Sequence, residues 1–311
     1  MLLTDAIRHY LNALLAQGSS LSTRINAKGA LGHMQRFLSH LQVHTVAQLH
    51  HDALLQWREE IAWHTTAKGT PLAARSQGEL LGHLRAWCRW LVREEYLLID
   101  PSARILNPKK PQQLPRAMLE RTEIVTLLKQ PDLRTLTGYR NRVILEVLYS
   151  TALRRMEIAN LKVYDVEPHS GYLTVRQGKG GKDRVVPLGA QVCRLMESYL
   201  LGIRCAWVQA QKTDYLFLNR WGQRMDPNAV WAVVHKYAKL AGIKKPVSTH
   251  TLRHACATHM LRNGAPVRYL QEMLGHQSLE TTQGYTQVTI NDLRAAHAQF
   301  HPREQEGKLG G

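Results

Sequence analysis

The chain has 311 residues, with 41 lysines and arginines against 24 aspartates and glutamates, a formal net charge of +17 and 44% apolar residues. That apolar share supports ordinary buried cores and excludes a mainly disordered chain, and at roughly 150 residues per domain the length suggests about two of them. No run of about 18 apolar residues offers a membrane span, and Asp5, Arg8 and His9 interrupt what would be the apolar stretch of a signal peptide.

Leu3, Ile7, Leu11, Leu14 and Leu15 recur at helical spacing and predict an amphipathic helix over 3–17. Ser19, Ser20 and Ser22 supply a loop and a cap. The spacing returns in Leu31, Met34, Phe37, Leu38 and Leu41, for a helix over 23–42. A third helix is expected over Asp52–His64, with Asp52 as N-cap. A fourth is expected over Leu72–Leu98, with Leu80, Leu81, Leu84, Trp87, Cys88, Leu91 and Val92 on one face. Residues 1–107 therefore read as an all-helical domain. The stretch Asn107-Pro-Lys-Lys-Pro-Gln-Gln-Leu-Pro115 cannot continue a helix, because proline lacks the amide and stays extended. Residues 108–116 read as a basic linker carrying Lys109, Lys110 and Arg116.

Helices are expected near Arg121–Lys129 and Tyr139–Ser150, after which the period changes. Gly171-Tyr-Leu-Thr-Val-Arg176 and Asp183-Arg-Val-Val-Pro187 are short and β-branched, and a glycine-rich basic tip separates them, the pattern of a β-hairpin. Helical patterns follow at Gln191–Trp207, Pro227–Ala241, Thr249–Asn263, Val267–Leu274 and Ile290–Phe300. Residues 117–300 read as a second, mostly helical domain with a small sheet, and 301–311 as a flexible tail. The fold class is mainly α.

The charge is uneven. Residues 1–107 hold 11 basic and 8 acidic residues, whereas 117–311 hold 27 and 16. Nucleic acid is the leading partner for such an excess; an acidic protein, an anionic membrane and a plain solubility surface are the alternatives. Cys88, Cys193, Cys205 and Cys256 are scattered without a CxxC, which argues against a disulfide framework or a cysteine zinc site and for a reducing, cytoplasmic setting.

Four short motifs stand out: Ser150-Thr-Ala-Leu-Arg-Arg-Met-Glu-Ile158, Gly178-Lys-Gly-Gly-Lys-Asp-Arg184, His250-Thr-Leu-Arg-His254 and Leu274-Gly-His-Gln-Ser-Leu-Glu-Thr-Thr-Gln-Gly-Tyr285. Each is weak alone. Arg154 and Glu157 could be a helical surface pair. The glycine-rich tip lacks the spacing of a Walker A loop, and His250 and His254 lack the glutamate of a zinc HExxH helix. Tyr285 alone reads as packing.

The order carries more. An arginine, a hairpin lysine, His-x-x-Arg, Gly-His and then tyrosine form a full set for attack on a phosphodiester. In this order the chain resembles the tyrosine recombinase (phage integrase) family, nearest to its Xer-like bacterial group. The resemblance is loose over residues 1–107 and close over about 117–300.

The resemblance implies a C-shaped DNA clamp built from a SAM-like helical core-binding domain and a mixed catalytic domain. It implies a site-specific recombinase that cleaves and rejoins strands through a 3′-phosphotyrosyl intermediate, for integration or excision, transposition or dimer resolution. Tyr285 would be the nucleophile. Arg154 and Arg253 would hold the non-bridging oxygens with guanidinium forks. His250 would assist the tyrosine proton, and His276 would donate to the phosphate. Lys179 would be the general acid on the leaving 5′-oxygen, with Lys182 its competitor. Glu157 would support the site. Lys109, Lys110, Arg155, Lys182 and Arg184 would contact DNA. No metal and no cofactor is implied. The partners would be duplex DNA with inverted repeats and three further copies of the chain, with no membrane; the stripe Ile290, Leu293, Ala296 and Phe300 of helix 290–300 would dock on a neighbouring copy or else pack on its own domain. Two departures stand out: Ala152 where glycine is common, and Gln287 where many relatives have histidine. The alternatives are a type IB topoisomerase that reseals the same strand and a non-catalytic DNA clamp.

Overall fold

The computed structural model describes residues 1–65, 69–109, 118–176, 183–207, 212–275 and 290–305. The chain divides into two compact units, Met1–Pro115 and Arg116–Gly311. The division falls in the proline-rich stretch. No helix among the described residues is long and apolar enough to cross a membrane.

The first unit packs α1 (Leu3–Ala16), α2 (Leu21–His40), α3 (His51–Trp63) and α4 (Ala74–Arg93). Their apolar faces meet in one core around Leu31, Met34, Leu54, Trp57, Leu84 and Trp87. The Ser20 hydroxyl accepts the Thr23 amide at 3.1 Å and caps α2. Asp52 is not the cap of α3. It lies inside the first turn, with His50 at the cap position, where its charge favours the helix dipole. Helix α4 ends at Arg93, short of the expected Leu98. Glu95 turns into the left-handed region (φ 60°), and the Tyr96 amide returns to the Leu91 carbonyl at 2.9 Å. Leu98, the expected end of the helix, is exposed.

His33, Glu60 and His64 form the group with metal-ligand chemistry among the described residues. The indole N–H of Trp57 donates to Nδ1 of His33 at 3.1 Å. Indole can only donate, so the neutral imidazole carries its proton on Nε2 and has no lone pair left for a metal. The cluster packs α2 on α3.

The second unit is built on α6 (Leu136–Thr151), which is buried nearly all round from Val143 to Thr151. Around it lie α5 (Arg121–Lys129), α8 (Ala190–Ser198), α9 (Pro227–Leu240) and α10 (Thr249–Arg262). A short helix α7 (Arg155–Asn160) follows α6, and α11 (Val267–Leu274) follows α10. The hairpin strands pair antiparallel as β2 (Tyr172–Val175) and β3 (Arg184–Pro187), with Val175 opposite Arg184. A third strand, β1 (Val166–Glu167), adds to β2; with two residues it has no sequence signal. The helix expected over Gln191–Trp207 is interrupted. After α8 it widens into a π turn over Tyr199–Ile203, where the Arg204 amide reaches back to the Tyr199 carbonyl at 2.8 Å.

The C-terminal region corrects another expectation. Helix α12 (Ile290–Phe300) is followed by α13 (Pro302–Gln305), so residues 302–305 are no tail; 306–311 lie outside the described residues. Arg303 grips the fully buried Glu146 carboxylate at 2.6 and 3.2 Å, while Arg142 donates to it at 3.0 Å. A buried acid on α6 needs these cations, and that demand fixes the segment. Leu293, Ala296 and His297 bury the stripe of α12 against its own unit, and His297 Nε2 lies 2.9 Å from the Ser150 carbonyl. In this structure the stripe read as a subunit dock is covered within the chain.

Two predictions follow from this anchor. Removing Arg303 as Arg303→Met leaves Glu146 with one cation and is expected to cost about 3 kcal/mol in denaturant unfolding. His297 and His301 are stacked at 4.5 Å, and burial pushes both imidazoles below their ordinary pKa of 6.5. The unfolded chain therefore binds protons that the folded chain refuses. Stability is complete above about pH 6.5 and falls as pH drops through that value. Thermal melts between about pH 7.5 and 5.5 should show this decline, and it should be shallower in His301→Asn.

Candidate catalytic site

Helix α6 ends at Thr151, and its C-cap residue Ala152 adopts the left-handed conformation (φ 51°). That conformation costs a non-glycine residue about 1–2 kcal/mol. Here it reverses the chain so that Leu153 enters the core and Arg154 emerges at the N-cap position of α7. Glu157, three residues on, caps the helix: its Oε2 accepts the Arg154 amide at 2.7 Å. Its Oε1 accepts Nη1 of Arg154 at 2.9 Å.

The same carboxylate takes a second cation. Arg184, at the start of β3, donates Nη1 and Nη2 to the two oxygens of Glu157, both at 2.8 Å. Such a fork is the strong form of an arginine–carboxylate pair. Burial alone would raise the pKa of Glu157, but the hydrogen bonds from Arg184 and the Arg154 amide prevail and hold it at about 2. Glu157 is thus a fixed negative charge at any working pH. The remaining donor of Arg184, Nε, reaches the Met273 carbonyl at the end of α11 at 3.1 Å.

Arg253 comes from α10 and is 8% exposed. Its Nη1 donates to the Ala152 carbonyl and its Nη2 to the Leu274 carbonyl, each at 2.6 Å. One side chain thereby joins the turn before Arg154 to the end of α11. Burial first, and then the positive charge of Arg154, lower the pKa of Arg253 to about 10, so it stays charged at neutral pH. His250 lies one turn earlier on the same helix and is exposed. Gly275 closes α11 in the left-handed conformation (φ 63°). A Cβ there would sit 3.1 Å from Cδ of Arg184.

The structure thus gathers Arg154, Glu157, Arg253 and Arg184, three cations about one carboxylate, with a positive surplus suited to an anion. His276, Tyr285, Lys179 and Lys182 lie outside the described residues, as does Lys110. Lys109 is exposed, and Arg155 donates to Asn228 at 3.1 Å. Arg184 was expected on DNA. Its three donor nitrogens instead point inward to Glu157 and Met273, because an ionised buried carboxylate demands them. Nothing in Lys182-Asp-Arg-Val185 distinguishes an inward arginine from an outward one.

A family profile described as "Phage integrase family" matches residues 117–291. The chain is 39% identical over 305 residues to tyrosine recombinase XerC 2 of Ralstonia nicotianae, covering 97% of this chain and 87% of that one. It is 37% identical over 300 residues to tyrosine recombinase XerD of Pseudomonas putida, covering 96% and 97%. This chain belongs to the phage integrase family of tyrosine recombinases. The fold is also similar to a lambda integrase tetramer bound to a Holliday junction, with a TM-score of 0.68 at 17% identity over 93% of this chain and 81% of that one. It is similar to XerH bound to a palindromic difH substrate, with a TM-score of 0.66 at 18% identity over 94% and 81%.

Gly275→Ala combines a strained conformation with contact against Arg184. It is expected to lower stability by about 1–2 kcal/mol in denaturant titration, with a larger loss when Gly275 is replaced by valine.

Proposed function

We propose that the chain is a site-specific DNA recombinase that cleaves and rejoins strands through a 3′-phosphotyrosyl intermediate. The convergence of Arg154 and Arg253 carries this reading: the Ala152 carbonyl, two residues before Arg154, is held by Arg253 itself. Guanidinium groups are the side chains best suited to the non-bridging oxygens of a phosphate. The family match over 117–291 and the XerC and XerD relatives support the same conclusion.

The phenol oxygen of Tyr285 attacks the phosphorus and gives up its proton, with His250 assisting that transfer. The bond to the 5′-oxygen breaks, and Lys179 supplies the proton that makes it a 5′-hydroxyl. Charge on the non-bridging oxygens falls to Arg154, Arg253 and His276. A 5′-hydroxyl of another duplex then attacks the phosphotyrosine, which restores the tyrosine and a DNA phosphodiester. The ester keeps the energy of the broken bond, so no external energy source enters.

On this reading residues 1–107 grip the core site, 108–116 link the units, and four copies assemble on two duplexes with inverted repeats. Such a protein works where the chromosome and plasmids are, in the cytoplasm. Relaxation by resealing of the same strand is the lesser alternative, since the relatives are named recombinases.

Nicked duplexes made from inverted repeats flanking the gene test this. After denaturation in detergent, the protein should carry a covalent DNA adduct that Tyr285→Phe abolishes. Arg154→Ala and Arg253→Ala should each slow adduct formation on the order of 100- to 1000-fold. A second labelled duplex should be joined in trans. Tight binding with no adduct on this substrate would overturn the enzymatic reading and favour a DNA clamp.

A further inference from the structure

We infer that Arg184 is a positioning residue for strand cleavage, which acts on the phosphate through Glu157 and Met273 and does not itself touch DNA. The inference rests on the recombinase reading above.

All three guanidinium nitrogens of Arg184 are engaged, whereas Arg253 keeps its Nε without a hydrogen-bond partner among the described residues. The Arg184 side chain is 12% exposed. Nη1 and Nη2 are committed to Glu157, and Nε to the Met273 carbonyl. A Cβ at Gly275 would come within 3.1 Å of the Arg184 Cδ, a tight approach that glycine avoids. One guanidinium therefore ties together three segments that the family chemistry needs in register: the strand leaving the hairpin tip, the helix that Arg154 begins, and the turn that leads to His276.

The electrostatics explain why a second cation is required. A carboxylate held by Arg154 alone would cancel the charge meant for the phosphate and draw both ends of the guanidinium toward itself. Arg184 takes both oxygens of Glu157, so the guanidinium of Arg154 donates only Nη1 to the acid. Nε and Nη2 of Arg154 have no hydrogen-bond partner among the described residues, and its side chain keeps 25% of its exposure. Glu157 thus orients Arg154 without neutralising it, and Arg184 makes that possible.

The test separates positioning from DNA contact. Single-turnover cleavage of the nicked duplex at saturating protein is compared in wild type, Arg184→Lys, Arg184→Met, Glu157→Gln and the Arg184→Met/Glu157→Gln double variant, with circular dichroism confirming the fold. Lysine cannot hold both oxygens, so Arg184→Lys should cleave roughly 10-fold more slowly, and Arg184→Met roughly 100-fold. DNA affinity and its salt dependence should match wild type in both, because no phosphate contact is lost. The double variant should cleave no more slowly than Arg184→Met alone, since removing the stranded acid relieves Arg154.

Three results would overturn the inference. A salt slope reduced by about one in Arg184→Lys would mark a phosphate contact. Unchanged cleavage in a folded Arg184→Lys would show that the fork is dispensable. Multiplying defects in the double variant would mean that the two residues act separately. Should Arg184→Met fail to fold, Arg184→Lys and Glu157→Gln carry the comparison. Absence of an adduct even in wild type fails the recombinase reading itself, and is recognised by the lack of any difference from Tyr285→Phe.

Discussion

A carboxylate buried where α7 begins is the constraint on which the second unit turns. Glu157 is 9% exposed and ionised. An unpaired charge at that depth would cost several kcal/mol, so the fold must bring cations to it. Arg154 comes from the same turn, and Arg184 comes from the far strand of the hairpin. Meeting the needs of one acid therefore fixes where α7 begins, where β3 lies and how the end of α11 is held.

The remaining hooks are backbone carbonyls. Helix C-termini leave carbonyl oxygens without intrahelical donors. Arg253 takes one such oxygen after α6 and one at the end of α11, while Arg184 takes the carbonyl just before. Two helix ends that would otherwise be fraying points become fixed edges of the site. Ala152 holds its strained conformation because its carbonyl must face Arg253.

Much of this was legible in the chain. The expected bounds hold for Arg121–Lys129 and Ile290–Phe300. The hairpin strands were readable from β-branched residues flanking glycines. The pairing of Arg154 with Glu157 was readable from their spacing. What failed depends on contacts distant in sequence. Leu98 is apolar and follows a helical stripe but meets no core. The π turn after α8 leaves the periodicity intact while changing the hydrogen bonds. His301–Gln305 looked polar and terminal, and its order comes from Glu146 on another helix. Arg184 looked like its basic neighbours because its partner acid lies in another motif.

The inward arginines also change the meaning of the charge count. Arg140 donates to the Leu218 carbonyl and to Asn141, Arg204 donates to the carbonyls of Thr213 and Tyr215, and Arg303 is spent on Glu146. Each is at least nine-tenths buried. A cation that staples the interior condenses no phosphate and releases no counterion when DNA docks. The formal +17 therefore measures two separate things, a rigid scaffold and a polyanion-facing surface, and only the second sets how steeply binding weakens with salt.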